Sequence, residues 1–345
     1  MTTRMNLIGL TRDDLATFFA ELNEPGFRSQ QIMDWIYLKG ARQFSKMTNL
    51  SQDLQGRLEE RATISVMSPA EVHRSTDGSA KLLFLFAGGA PAESVLIPDG
   101  ERTTLCISSQ AGCPLACTFC QTGIMGAGRN LTRSEIVSQV MAGMTLAESR
   151  RVTNLVFMGM GEPMLNLDEV IPAVRTLTDS LGLGLGRRRL TISTAGVVPG
   201  ILRLADADTG VGLAVSLNAA RDELRNEIMP INRRYPISEL LEAADYFEQR
   251  SSGRRPVTFE YVLLRNVNDT LADARALGRL LHGRRAKVNL IPHNPIDGEP
   301  YQSPNPTQVL RFQEHLEGWL ETVTVRSNRG GDVGAACGQL GSKAT

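Results

Sequence analysis

Three cysteines stand close together in the chain, at Cys113, Cys117 and Cys120. They directly follow an apolar segment and have the spacing C-x3-C-x2-C, so that three thiols fall on one tight loop. A structural zinc site normally needs four ligands, and the nearest histidines in the sequence, His73 and His282, are far away. Three thiolates suit a cubane iron–sulfur cluster that keeps one iron open for a substrate or cofactor. A zinc site that borrows a distant histidine, or plain buried thiols, are the alternatives.

The two remaining cysteines stand alone, Cys106 in the apolar segment before the loop and Cys337 near the C-terminus. Cys106 on such a segment could be an ordinary buried cysteine. The glycine-rich surroundings of Cys337, RGGDVGAACGQLG, do not resemble a protein core. Five cysteines, three of them within eight residues, do not form a disulfide framework. Clustered cysteines in a cytosolic chain indicate metal binding or catalysis.

Composition places the chain among globular proteins. It has 345 residues, 42% of them apolar and 21% charged, with 37 Lys and Arg balancing 37 Asp and Glu. This length predicts about two domains, or one large α/β domain with an appendage. Asp13, Asp14 and Glu21 interrupt the region where a signal peptide needs an apolar core. No apolar run approaches the ~20 residues of a membrane span. We therefore predict a cytoplasmic protein that does not contact a membrane.

The elements that must position the cysteines alternate regularly after residue 100. Six apolar, β-rich segments are each followed by a helical stretch, which predicts a parallel sheet with helices outside, either doubly wound or a full or partial barrel. A further strand is possible at Val323–Ser327. Chemistry in such folds gathers at the carboxyl ends of the strands. The six segments are Thr103–Ser108, Asn154–Met160, Arg189–Ser193, Gly212–Leu217, Val257–Leu264 and Lys287–Ile291.

Several polar or small residues stand at the ends of these predicted strands, where a ligand would bind. A glycine there allows a ligand to approach the backbone closely, and a carboxylate can accept hydrogen bonds from an ammonium group or from ribose hydroxyls. Their common position is an independent reason to expect cofactor contacts. The residues are Gly161, Glu162, Ser193, Ser216, Leu217, Asn218 and Asn294.

The cysteine motif, with Phe119 before its last cysteine, resembles that of radical S-adenosylmethionine (SAM) enzymes. Several further motifs, spread over almost the whole chain, resemble the RlmN/Cfr family of RNA methyltransferases. Within that family, Pro163 and the N-terminal segment FRSQQIMDWIYLKG favour the branch that methylates C2 of adenosine over the branch that methylates C8. The motifs are CISSQAGCPLACTFCQTG, NLVFMGMGEPMLN, RRLTISTAGVVP, IMPINRRY, VTFEYVLLRNVND, NLIPHNP and RGGDVGAACGQL.

The resemblance implies an α/β fold, a (β/α)6 partial TIM barrel of the radical SAM type. It also implies dual specificity, for C2 of one adenosine in 23S rRNA and for the adenosine at position 37 of tRNA, beside the anticodon. The mechanism it implies is a radical one that uses two SAM molecules and an S-methylcysteine intermediate. The C8 methyltransferase of the other branch is the alternative, followed by a zinc-stabilised RNA-binding module without catalysis.

The resemblance also assigns roles to residues of this chain. Cys113, Cys117 and Cys120 would bind the [4Fe-4S] cluster, and the seven strand-end residues would contact SAM. Cys337 would carry the methyl group, Cys106 would resolve the RNA adduct through a transient disulfide with Cys337, and Glu93 would accept the C2 proton. Because the carrier must visit two states, we predict a mobile segment around Arg329–Leu340. Many relatives have His where this chain has Asn218, and some have an aromatic residue in place of His293, for which a structural role is the simpler interpretation.

The resemblance and the pattern of strands and helices together predict four segments. Residues 1–62 would form a helical, RNA-binding accessory domain, and residues 63–98 a β extension that carries Glu93. Residues 99–330 would form the radical SAM core, and residues 331–345 a tail that carries Cys337. The implied partners are 23S rRNA, tRNA and an electron-donating reductase system such as flavodoxin, and we expect a monomer.

Overall fold

A computed structural model describes residues 4–147, 150–251, 255–296 and 298–341. Residues 1–3 and 342–345, at the two ends of the predicted outer segments, lie outside this description. The strands are β1 (Met5–Asn6), β2 (Ala62–Thr63), β3 (Glu71–Arg74), β4 (Ala80–Phe86), β5 (Ala90–Asp99), β6 (Arg102–Cys106), β7 (Gln110–Ala111), β8 (Arg129–Asn130), β9 (Asn154–Phe157), β10 (Leu190–Thr194), β11 (Gly212–Ser216), β12 (Val257–Leu263), β13 (Ala286–Pro292) and β14 (Val323–Val325).

The helices alternate with the later strands, as the sequence pattern predicts. The α-helices are α1 (Arg12–Glu21), α2 (Arg28–Met33), α3 (Gln52–Arg61), α4 (Gln121–Met125), α5 (Arg133–Leu146), α6 (Leu167–Thr178), α7 (Val198–Asp206), α8 (Asp222–Ile228), α9 (Ile237–Arg250), α10 (Leu271–Leu281) and α11 (Pro306–Glu317). A π-helical turn covers Asp34–Leu38. Short 3-10 turns cover Phe44–Lys46, Ala87–Gly89, Pro163–Leu165, Arg187–Arg189, Pro230–Arg233 and Gly331–Val333.

One ten-stranded sheet forms the centre of the molecule, in the order β14-β13-β12-β11-β10-β9-β6-β5-β4-β3. The seven strands from β6 to β14 in this order pair in parallel, as helical crossovers between them require. Their order is linear, with β14 and β3 at opposite edges, so the sheet does not close on itself. The predicted partial barrel of strand–helix units is confirmed, and Val323–Val325 supplies the seventh parallel strand.

The predicted β extension is an antiparallel continuation of the same sheet. Strands β3, β4 and β5 form a meander, and β5 pairs with β6 so that Val95 lies opposite Cys106. The turn between β3 and β4 falls at residues 75–79 and contains Asp77 and Gly78, residue types that favour turns. This pairing brings the segment that carries Glu93 beside the first strand of the parallel region.

A small parallel sheet of β1 and β2 brings the two ends of the N-terminal segment together, and ion pairs join this segment to the core. Thr11 and Asp14 form a capping box at the start of α1. The π turn continues directly from α2, and the Gly9 N–H donates to the Tyr37 hydroxyl at 2.8 Å. Arg133 of α5 pairs with Asp14 at 2.8 Å, which fixes α1 against the core. No helix within the described ranges is long and apolar enough to cross a membrane.

Candidate active site

The cysteine loop lies at the carboxyl edge of the parallel strands, between β7 and α4. Gly112 has a φ of +99°, and a Cβ there would lie 2.7 Å from the Gly126 carbonyl oxygen, so glycine is required where the loop begins. The Cys113 N–H donates to that same carbonyl at 2.8 Å, and the Thr118 N–H donates to Ile228 at 3.0 Å. These bonds fix the loop at both ends before any ligand binds.

The three cysteines of the loop line one cavity and are half-buried. Burial raises the pKa of Cys113 to about 12, and it also raises the pKa values of Cys117 and Cys120. Such thiols lose their protons when they bind a metal. The described residues include no group of three His, Cys, Asp or Glu placed to hold a single metal ion. Three thiols that line one cavity fit a cubane, to which three cysteine thiolates can bind.

Most of the residues predicted at strand ends line the same cavity, and one does not. The side chain of Leu217 is fully buried in the core. The predicted residues that line the cavity are Gly161, Glu162, Ser193, Ser216, Asn218 and Asn294.

Glu162 is held by the ends of two strand–helix units. Its carboxylate accepts from the Ala195 N–H at 2.7 Å and from the Met164 N–H at 3.0 Å. Burial raises the pKa of Glu162 to about 7 in spite of these two bonds. The carboxyl group is therefore fixed at the cavity wall, and a nearby cation would stabilise its charged form.

Asn218 and His293 both line the cavity and have protein partners. Asn218 adopts a φ of 58°, a conformation that asparagine tolerates better than most residues, and its side-chain oxygen accepts from the Val262 N–H at 2.8 Å. The ring of His293 is buried, and its Nε2 is hydrogen-bonded to Glu299. The structural interpretation of His293 agrees with this contact.

Cys337 lies between two cavities. It lines the cavity of the three loop cysteines, and it also lines a second, smaller cavity together with Cys106. Asn294 donates from Nδ2 to the Cys337 carbonyl at 3.0 Å, and the Gln121 N–H at the start of α4 donates to Gly338 at 2.8 Å. Both thiols are free here. The structure describes the tail through Gly341, and its mobility stays a prediction.

Arg326 and Glu260 are charged residues of this site that the sequence interpretation missed. The Arg326 guanidinium faces both cavities, and the charge of Cys337 raises its pKa most, followed by Glu260 and Cys106. Burial raises the pKa of Cys106 to about 12, and Arg326 acts in the opposite direction. The sequence does contain a signal for Glu260, because it is the one charged residue in the strand segment VTFEYVL. Arg326 directly follows β14 and is therefore a strand-end residue of the same kind.

Glu93 does not line either of the two cavities. Its carboxylate is buried, 3.4 Å from the ammonium of Lys81, and it accepts from the Gly341 N–H at 2.8 Å. Lys81 is itself only 1% exposed. The tail therefore contacts one oxygen of the Glu93 carboxylate, and Lys81 is paired with the other oxygen.

Comparisons with known proteins agree with this geometry. Residues 5–64 match the ribosomal RNA large subunit methyltransferase N-terminal domain, and residues 107–277 match the radical SAM superfamily. The chain is 48% identical to the dual-specificity RNA methyltransferase RlmN of Geobacter sulfurreducens, over 99% of this chain and 94% of that protein. It is 49% identical to the RlmN of Pelobacter propionicus, over 99% of this chain and 97% of that protein.

The chain belongs to the RlmN family of radical SAM methyltransferases. A solved structure of a radical SAM methyltransferase from Sphaerobacter thermophilus matches it with a TM-score of 0.90 and 42% identity, over 97% of this chain and 98% of that one. The cofactors of this family member are a [4Fe-4S] cluster and SAM. The predicted fold class and the predicted family are confirmed.

Proposed function

We propose that this RlmN-family enzyme methylates C2 of one adenosine in 23S rRNA and of the adenosine at position 37 of tRNA. The relatives that it matches over almost their whole length are named dual-specificity RNA methyltransferases. The observation that carries the proposal is the position of Cys337, whose side chain faces both the cluster cysteines and Cys106. A methyl carrier needs access to a methyl donor on one side and to a resolving thiol on the other.

Cys113, Cys117 and Cys120 hold the cluster in this proposal. Six of the seven strand-end residues bind SAM from the cavity wall. Leu217, whose N–H and carbonyl are bonded to Glu260 and Arg225, contributes by holding Ser216 and Asn218 in place. When bound, the two cofactors supply the methyl group and the one-electron chemistry. Glu162 receives the SAM ammonium, because its buried carboxyl group is oriented by two backbone N–H groups and gains from a cation.

Cys337 accepts the methyl group of one SAM on its sulfur and loses the thiol proton. The radical that a second SAM would supply takes a hydrogen atom from this methyl group, and the remaining methylene carbon bonds to C2 of adenine. After the adduct has lost the C2 proton and one electron, which the oxidised cluster would accept, Cys106 attacks the Cys337 sulfur. The bond from that sulfur to the methylene carbon breaks, the carbon takes a proton to become the methyl group, and an external thiol reduces the disulfide. Burial keeps Cys106 protonated at neutral pH in the present arrangement, so that it does not compete for the methyl group. Glu93 takes the C2 proton after the Gly341 N–H has moved off its carboxylate.

The proposal also covers localisation, partners and domains. The enzyme works as a cytoplasmic monomer and receives electrons from a reductase system such as flavodoxin. Residues 1–62 assist RNA binding, residues 63–98 present Glu93, residues 99–330 perform the radical chemistry, and residues 331–345 deliver Cys337. The ion pairs of Asp14 with Arg133 and of Arg12 with Asp179 support a fixed attachment of the first segment to the core.

An anaerobic reaction with cluster-loaded enzyme, a reductant, methyl-deuterated SAM and unmodified 23S rRNA fragments or tRNA tests the proposal. Nucleoside mass spectrometry with chromatography should show deuterated 2-methyladenosine. In Cys106→Ala we expect RNA that stays attached to the protein at Cys337, because its release needs the second thiol. Formation of 8-methyladenosine would assign the chain to the other branch. An absence of methylated adenosine with an intact cluster and methylated Cys337 would refute the RNA substrates.

A further inference from the structure

Arg225, near the C-terminal end of α8, has the largest of the fully buried side chains in the described part of the chain. It is 0% exposed, although arginine is almost never fully buried unless its charge is paired. No ion pair within 4.0 Å joins it to any carboxylate of the described residues. A charge in this position needs a negative partner or a specific set of acceptors.

The acceptors around Arg225 are all neutral. Its Nε donates to the Leu217 carbonyl at 2.9 Å, and Nη2 donates to the carbonyls of Ala195 at 2.6 Å and Ser216 at 3.0 Å. Nη1 donates to the side-chain oxygen of Asn232 at 2.8 Å. The guanidinium thus joins the carboxyl ends of β10 and β11, which carry predicted SAM contacts. These bonds use four of its five N–H donors and supply no formal negative charge.

The charged groups that act on Arg225 are Cys117 and Asp222. Burial lowers the pKa of Arg225 to about 10, and Cys117 is the first of the groups that oppose this effect. Asp222 is already engaged, since one of its carboxylate oxygens accepts from the Asn232 amide at 2.8 Å and from the Ile237 N–H at 2.9 Å. The cysteine loop contacts the helix that carries Arg225, because the N–H of Thr118, next to Cys117, donates to the Ile228 carbonyl at the end of α8 at 3.0 Å. The remaining candidate for the missing negative charge therefore lies on this loop.

A cubane bound by three thiolates supplies that charge. An oxidised [4Fe-4S] core has two positive charges, so with three thiolates the assembly is one minus, and it becomes two minus when it accepts an electron. A fixed cation beside one of the thiolates favours the reduced state and raises the reduction potential. We propose that Arg225 is the countercharge of the cluster and a positioning residue that holds the carboxyl ends of β10 and β11 beside it. This inference rests on the cluster assignment within the proposed function and is independent of the RNA substrate.

Potentiometric titration of the reduced cluster, followed by electron paramagnetic resonance and without RNA, tests the role. Arg225→Gln removes the charge, and Arg225→Lys keeps the charge while losing the fork of donors. Arg133→Gln is the control, because Arg133 is paired with Asp14 and Glu169 and does not line the cavity. We expect Arg225→Gln to retain iron but to have a more negative midpoint potential. Arg225→Lys and Arg133→Gln should stay close to the unmodified enzyme.

An unchanged potential in Arg225→Gln would overturn the countercharge, and so would equal shifts in the Gln and Lys variants, which would indicate a purely structural brace. If Arg225→Gln does not fold, Arg225→Met takes its place as the neutral variant: a potential more negative than that of Arg225→Lys supports the role of charge, and equal potentials refute it. Failure of the RNA methylation assay with the expected potentials would refute the substrates while leaving this role intact.

Discussion

The buried carboxyl group of Glu162 should make the unfolding free energy of the chain depend on pH. Burial raises its pKa from the ordinary 4.5 to about 7, although the N–H groups of Ala195 and Met164 both donate to its carboxylate. In the unfolded chain the same carboxyl group has its ordinary pKa. The folded chain therefore binds one more proton than the unfolded chain in the interval between these two values, and its stability falls as pH rises through that interval.

The size of the effect follows from the two pKa values. A difference between 4.5 and about 7 corresponds to about 3 kcal/mol of unfolding free energy, with the stabilisation present below pH 4.5 and lost once the pH exceeds about 7. About 2.5 kcal/mol of this loss falls between about pH 5 and about pH 8. Glu162→Gln removes the titration. It also loses one of the two backbone hydrogen bonds, but that loss is the same at every pH.

Urea unfolding of the cluster-free chain, in the absence of oxygen and with a thiol reductant, measures this difference. The unfolding free energy of Glu162→Gln should rise relative to that of the unmodified chain across this pH range. Glu135→Gln is the control. Burial acts to raise the pKa of Glu135, but hydrogen bonds from Arg129 and Thr132 outweigh it and lower the pKa. Its contribution is therefore complete above the ordinary carboxyl pKa, and the difference for this variant should be flat.

The same carboxyl group should release its proton when SAM binds. Calorimetric titration of cluster-loaded enzyme with SAM at about pH 6.5, in two buffers with different ionisation enthalpies, should show net proton release that disappears in Glu162→Gln. A stability difference that does not depend on pH would refute the raised pKa. The expected stability slope without proton release would leave the pKa intact and refute the contact with the ammonium.

Three further substitutions test the tail and the buried pair. Cys337→Ala should assemble a normal cluster, judged by iron content and absorption, and lose all RNA methylation; surviving methylation would exclude the carrier role. Asn294→Ala removes the hydrogen bond to the Cys337 carbonyl, worth about 1 kcal/mol, and should increase the alkylation rate of Cys337 about fivefold, whereas an unchanged rate would mean that the bond does not restrain the tail. Lys81→Met leaves Glu93 buried without its cation and should destabilise the chain by about 3 kcal/mol or more. The double variant Lys81→Met/Glu93→Gln should recover part of this stability. An unchanged melting temperature in Lys81→Met would contradict the pairing.

The sequence predicted those parts of the molecule that have a local signal. The strand–helix alternation is written in runs of apolar residues, so six parallel strands were located to within a few residues. The C-x3-C-x2-C spacing confines three thiols to one loop, and the end of a predicted strand confines that loop to one edge of the sheet. These inferences use neighbours in the chain, and no packing detail was needed for them.

Features that depend on distant neighbours could not be predicted in this way. Lys81 looks like an ordinary charged residue at the start of a strand, yet the pairing of β4 with β5 buries it beside Glu93. Arg225 lies in a short helix with the acidic residues of DELRNEI, where an exposed position is the natural expectation. Its burial follows from the carbonyl ends of β10 and β11, which are separate in the sequence. Burial of a charge is decided by tertiary contacts, and no local pattern indicates it.

The position of Cys337 results from two anchors of different strength. Before it, Asp332 accepts from the Ser75 hydroxyl at 2.6 Å and from the Thr76 N–H at 3.1 Å, bonds strengthened by the charge of the carboxylate. After it, the tail is bound to α4 through neutral bonds, such as the one from the Thr122 hydroxyl to the Leu340 carbonyl at 2.7 Å. One bond to a charged group follows, from the Gly341 N–H to the Glu93 carboxylate. A movement that released the tail after Cys337 would break this bond and uncover the Glu93 carboxylate at the same time. In the proposed mechanism, access to Glu93 and movement of Cys337 are therefore coupled through one short stretch of backbone.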